Sequence, residues 1–355
     1  MTTTQGADQL VLVGAYTADT DGMDGSAVGL TSWRLSTAAD GTPALEPLGT
    51  LALPSPAYLV AHPERPWVFT VGETSPSTVT SLSRQPDGTL TRLSTVPAGG
   101  DLACHLALSP DLTRVVVASY GSGTVSSFGV DDEGRLRPLD VRQLDGSGPD
   151  PERQQGPHAH QVVFHEDEMW VSDLGTDRIH RLRLGPGGEI TEAAPPVVLP
   201  PGSGPRHLAV LGEHLVVGCE LAGTVWLARR EADGSWTGLG SEPTTASTSG
   251  GPLAPSALVA HDGLVAVANR GPGTVSLFHL DAAAGRLVRD AEVPAGGSGP
   301  RDLTLTAEHL WVANQADDVV TLFSRDDLLA PDPRPVLEVP TPSPARTVLL
   351  PATGR

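Results

Sequence analysis

The chain has 355 residues, 42 of them acidic and 23 basic, for a formal charge of −19. Every basic residue is arginine, which excludes Schiff-base chemistry on a lysine, and a net anion without a basic run suits neither nucleic acid nor an anionic membrane. The two cysteines, Cys104 and Cys219, lack metal-ligand spacing and read as reduced, partly buried thiols.

The opening MTTTQGADQL has no charged-then-apolar leader layout, and no stretch approaches 18 apolar residues. Residues 1–9 are expected to be a disordered tail on a soluble, cytoplasmic protein. Short runs of Val, Leu and Thr are interrupted by 40 Gly and 33 Pro, which leaves no helix of normal length. The class is all-β. LVLVGAYT, VGLTSWRL and EPLGTLALP supply three strands. A turn-plus-strand start then recurs at Pro56-Ala57, Ala103-Cys104, Pro157-His158, Pro205-Arg206, Pro255-Ser256, Pro300-Arg301 and Pro344-Ala345. The intervals are 47, 54, 48, 50, 45 and 44 residues, the period of a four-stranded propeller blade. The last unit, PARTVLLPATGR, offers one inner strand and then stops. Added to the three N-terminal strands, it completes a seventh blade and leaves no exposed edge. One domain over 1–355, a seven-bladed β-propeller closed by both ends of the chain, is therefore expected.

Residues 202–221, GSGPRHLAVLGEHLVVGCEL, show how such a unit places chemistry. Two strands of about five residues, joined at Gly212-Glu213, run out and back. Arg206 and Glu220 thus face one space from one hairpin. In a propeller, the loops entering the first strands and leaving the second strands open on one face, so these positions from all blades meet at one mouth. The entering loops bring His105, His158, His160, Arg206, His207, Arg301 and Asp302. The second-strand ends bring Glu73, Tyr120, Asp173, Glu220, Asn269, Arg270, Asn314 and Gln315. The long connection GSGPDPERQQGPHAH carries Arg153, Gln154 and Gln155 toward the opening. The HAH pair puts His158 and His160 at a spacing that shares one strand face. The arginines nearby oppose a dication, so neither a metal nor another cofactor is expected.

At these residues the chain resembles the seven-bladed lactonase family, which includes bacterial propeller-type 6-phosphogluconolactonases and fungal carboxy-cis,cis-muconate cyclases. The matching motifs are GSGPDPERQQGPHAHQV, SDLGTDRI, GSGPRH, EL at 220–221, ANRG at 268–271, and GPRDL with VANQ. Ser119, Cys219 and Leu144 depart from the pattern, standing where Asn, Asn and His are usual. The resemblance implies a catalytic set of His158, Arg206, Glu220 and Arg270, and His160 and Asp173 fall in similarly recognisable motifs; these two, with Arg153, Asn269 and Arg301 from the same mouth, are expected to bind substrate. Glu220 or His158 is the expected base, the arginines the oxyanion and anion binders, and His160 a group that positions or protonates the ring oxygen. The implied reaction is hydrolysis of 6-phosphogluconolactone in the pentose phosphate route. A lactonase or cycloisomerase acting on a carboxylated lactone, or a non-catalytic binding propeller, is the alternative. The expected partner is a small lactone, and the expected assembly a monomer or weak homo-oligomer.

Overall fold

A computed structural model describes residues 9–18, 25–38, 41–247 and 253–351; the expected tail at 1–9 lies outside them except for Gln9. The described residues form seven four-stranded antiparallel sheets and two short 3-10 turns, Gln315–Asp317 and Arg325–Asp327. Blade 1 has the order Pro344–Pro351, Gln9–Ala15, Gly29–Thr37, Pro43–Ala52, so the last strand of the chain is its innermost. Blades 2 to 7 begin with Tyr58–Ala61, Ala103–Leu108, Ala159–His165, Pro205–Leu211, Pro255–His261 and Pro300–Leu305, and each runs outward in chain order. These inner strands contact their neighbours all the way round, with blade 7 touching blade 1 and blade 1 touching blade 2. Two starts fall two residues later than the spacing suggests: blade 2 begins at Tyr58, and blade 4 begins at Ala159, so that His158 precedes its strand.

The core consists of seams between blades, and the second strands explain why. In Arg114–Ser119, Val115 and Val117 join Phe69, Val71 and Val79 of blade 2, while Val116 and Ala118 join Val162, Met169 and Val171 of blade 4. Alternate side chains leave a strand on opposite faces, so a strand sandwiched between two blades must be apolar at every position. This accounts for runs such as VVVA and LVVG, which show no polar alternation. The same division places Leu215 and Val217 in one seam and Val216 in the next.

The seam closing the ring, between blades 7 and 1, packs Trp311, Val320 and Leu322 against Val11 and Val13. Trp311 is fully buried, and its indole nitrogen has no hydrogen-bond partner among the described residues. Its contribution is therefore volume. Trp311→Ala is expected to cost about 3–5 kcal/mol in urea unfolding. Trp311→Phe should cost clearly less, because removing an unbonded N–H forfeits no hydrogen bond.

Candidate active site

The mouth is built by a device repeated in most blades. Where the inner strand begins, pairing with the second strand skips one residue: Cys104, His160, Arg206, Arg301 and, in blade 1, Ala345. Such bulges re-aim the extra side chain, and all five line one small cavity of about 20 Å³ in the throat of the ring. Tyr16 and His207 line it too. At the other end of five of the seven hairpins, the residue just after the second strand reaches the same face: Tyr16, Glu73, Tyr120, Glu220 and Arg270.

The blade 5 hairpin behaves as its sequence suggests. Leu211 and His214 pair across Gly212-Glu213, with Gly212 at φ +60°, and the Glu220 amide donates to Gly204 O at 2.8 Å. Glu220, only 8% exposed, gathers three guanidiniums. Arg153 Nη2 lies 3.0 Å from Oε1, and Arg206 Nε and Arg270 Nη2 lie 3.1 and 2.7 Å from Oε2. Burial alone would raise the Glu220 pKa, but Arg270, Arg206 and Arg153 overrule it and hold it at about 2. Arg206 is almost fully buried, and its pKa falls to about 10 through burial and the nearby charges of Arg301 and Arg270. Its Nη1 has no hydrogen-bond partner among the described residues. A buried, unpartnered cationic donor facing a cavity is suited to an anion.

His158 stands beside this cluster. Its Nδ1 is 2.8 Å from Tyr120 O, a group that only accepts, so Nδ1 carries the proton and the neutral ring offers the Nε2 lone pair. The ring stacks on Tyr120 at 4.4 Å, and the Tyr120 hydroxyl accepts from Arg153 Nη2 at 3.1 Å. His160 meets Tyr120 edge-on at 5.7 Å. The two imidazoles therefore do not share a strand face: His158 is in the loop, and His160 is the bulged residue in the throat. Among the described residues, no group of three or more His, Cys, Asp or Glu is placed to hold a metal ion. Burial, then Arg206, His207 and Arg301, press the His160 pKa well below its usual value. That direction disfavours the cationic form of the ring.

Two expected substrate contacts turn out to be internal supports. Asp173 is fully buried; its Oδ1 accepts from the His158 and Gly175 amides at 2.7 and 3.0 Å, and its Oδ2 meets His180 Nε2 at 3.0 Å. Asn269 is fully buried and donates to Thr244 O and to the hydroxyls of Thr274 and Ser276. Both end a second strand, where the side chain points into the blade; after Asn269, Arg270 turns to Glu220 in the mouth. Cys219 and Ser119 occupy the same position. In the long connection only Arg153 reaches over the opening. Gln154 is buried against Leu174 O and Asp177, and exposed Gln155 donates to Pro151 O. A second recess, of about 170 Å³, opens beside Arg153 and Glu220 with Leu221, Ala222, Gly223, Leu253 and Ala254 as its walls.

The sequence reading left Tyr16 out. Its hydroxyl donates to Glu73 Oε2 at 2.9 Å and accepts from Arg301 Nη2 at 2.6 Å, and the Arg301 guanidinium lies 5.1 Å over its ring. The signal was present in LVLVGAYT, where Ala15-Tyr16 matches Gly72-Glu73 and Cys219-Glu220.

Four guanidiniums and two carboxylates thus converge in the mouth of a seven-bladed propeller. The family model described as "Lactonase, 7-bladed beta-propeller" matches residues 10–334, and the chain belongs to that family. A 6-phosphogluconolactonase from Bacillus subtilis (strain 168) is 30% identical over 253 residues, 67% of this chain and 70% of that protein. The structure of the periplasmic gluconolactonase PpgL of Pseudomonas aeruginosa aligns with 98% of this chain and 100% of its own at a TM-score of 0.87 and 27% identity. A protein from Lactobacillus plantarum aligns over 97% of this chain and 99% of its own, with a TM-score of 0.86 and 25% identity. No helix among the described residues is long and apolar enough to cross a membrane.

Replacing Glu220 by Gln leaves three guanidiniums uncompensated. The expected cost at neutral pH is about 3 kcal/mol, the low end for a broken buried pair because Arg153 is partly exposed. The native pKa of about 2 lies below the ordinary 4.5. This contribution is therefore complete above pH 4.5 and is lost as the pH falls toward 2. Melting curves of the two proteins should converge over that window.

Proposed function

We propose that the chain hydrolyses an anionic, sugar-derived lactone, with 6-phosphogluconolactone as the leading substrate. The observation that carries this reading is the convergence of Arg206, Arg270 and Glu220, with a buried Arg206 nitrogen left open. His158 Nε2 takes a proton from water, and the resulting hydroxide attacks the lactone carbonyl. Arg206 and Arg270 stabilise the tetrahedral oxyanion. Glu220, with both oxygens engaged and its pKa near 2, is a weak base; its role here is to hold the three guanidiniums in place. Arg153, partly exposed at the rim, contacts the substrate's own phosphate or carboxylate and closes over the 170 Å³ recess. Asp173 and Asn269 support the loop and blade behind these groups.

The name borne by the Pseudomonas aeruginosa protein favours a second reading, an unphosphorylated gluconolactone. Gluconolactone carries no anionic group for the arginines to bind, so the two readings are separated by rate. Acid release is followed in a pH-stat with freshly generated 6-phosphogluconolactone and with gluconolactone, with and without chelator, and the enzyme-free rate is subtracted. A larger kcat/KM for the phosphorylated lactone supports the leading reading, and the reverse order supports the second. No rate above background on either would sink both. In the same assay, His158→Ala is expected to lower kcat by about 10²–10⁴-fold and Arg270→Ala by about 10²–10³-fold, with thermal melts confirming that both variants are folded.

A further inference from the structure

The hydrolysis proposed above leaves the proton donor to the ring oxygen unassigned. Opening the ring expels an alkoxide, which needs a proton as the carbon–oxygen bond breaks; His158, which has taken the proton of the attacking water, is one source. The opposite wall of the throat offers another group. Tyr16 lines the cavity beside Arg206 and Arg301. Its backbone is pinned from both sides: its own amide donates to Ser343 O at 3.0 Å, and the Ala15 amide donates to Pro56 O at 3.2 Å. Glu73 sits behind it, 5% exposed, with Oε2 on the Tyr16 hydroxyl and Oε1 3.8 Å from Arg301 Nη2.

We propose that Tyr16 is a further catalytic residue, the acid that protonates the departing ring oxygen, with Glu73, which accepts the hydroxyl's hydrogen bond, as the residue that positions it. The inference rests on the lactonase reading. As the acyl carbon–ring oxygen bond breaks, its electron pair goes to the ring oxygen. That oxygen takes the Tyr16 hydroxyl proton and becomes the product hydroxyl, leaving a phenolate that Arg301 Nη2 contacts. The phenolate is reprotonated from solvent as His158 releases to solvent the proton it took from water. Burial raises the pKa of the Tyr16 hydroxyl as well as that of Glu73, against the opposing pull of Arg301, so the proton stays on Tyr16 until a strongly basic alkoxide develops. Arg301, hydrogen-bonded to the phenolic oxygen, stabilises the charge that passes through it.

Tyr16→Phe and Glu73→Gln test the assignment, with thermal melts to verify folding. Each variant is assayed on the lactone that the wild type turns over and on its counterpart with sulfur in place of the ring oxygen. A thiolate is a far weaker base than an alkoxide and departs without a donor. Both variants are expected to lose about 10²-fold or more in kcat on the oxygen lactone, with KM little changed, and to lose roughly tenfold less on the sulfur lactone. Equal losses on the two rings, or no loss on either, would overturn the acid role while leaving the lactonase reading intact. A wild type that opens the oxygen ring and not the sulfur ring would also count against it. A wild type inactive on both lactones would instead overturn the reading on which the proposal rests.

Discussion

The architecture depends on one pairing: the strand Pro344–Pro351 lies antiparallel beside Gln9–Ala15, joining the two ends of the chain in blade 1. Six of the seven seams join blades that follow one another in sequence; five of these are made within about a hundred residues of chain, and the one between blades 1 and 2 also takes in Val348 and Leu350 of the final strand. The seventh, between Trp311 and Val11, exists only because this pairing closes the ring. Closure also brings Tyr16 of blade 1, Glu73 of blade 2 and Arg301 of blade 7 to one point. Without it, the throat would lack a wall.

Charge is distributed against the average of the molecule. The chain carries a formal −19, yet its mouth gathers Arg153, Arg206, Arg270 and Arg301 around Glu220 and Glu73. A concave cationic site on an acidic surface focuses the field on an anionic ligand while the periphery repels other anions. Glu220 makes the arrangement stable, because guanidiniums packed this closely repel one another unless a carboxylate stands among them. The cost is visible in Arg206, whose proton is held less tightly than usual.

Much of this was legible in the sequence. The repeat spacing gave the blades, the composite blade followed from three strands at one end and one at the other, and the out-and-back hairpin correctly brought Arg206 to Glu220. The misreadings have a shared physical cause. Neighbouring residues in a strand point to opposite faces, so an error of one position exchanges a mouth residue for a structural one. Asp173 and Asn269 lie one residue short of the mouth, and they are buried supports. The bulges that turn His160, Arg206 and Arg301 into the throat break the simple alternation, and spacing alone does not reveal a bulge. Tyr16 escaped notice because its blade is discontinuous: the strand that should precede it lies more than 300 residues further on.

The same discontinuity imposes an order on biosynthesis. A nascent chain leaving the ribosome can assemble blades 2 to 7 one after another, while Gln9–Ala15 waits with an unpaired inner edge. Ala345, which lines the throat, and the carbonyl of Ser343, which anchors Tyr16, arrive only with the final strand. The growing polypeptide therefore cannot hold a finished cavity until translation has passed residue 351. Truncated products of interrupted synthesis would carry nearly every polar group of the site and still lack the scaffold that orients them.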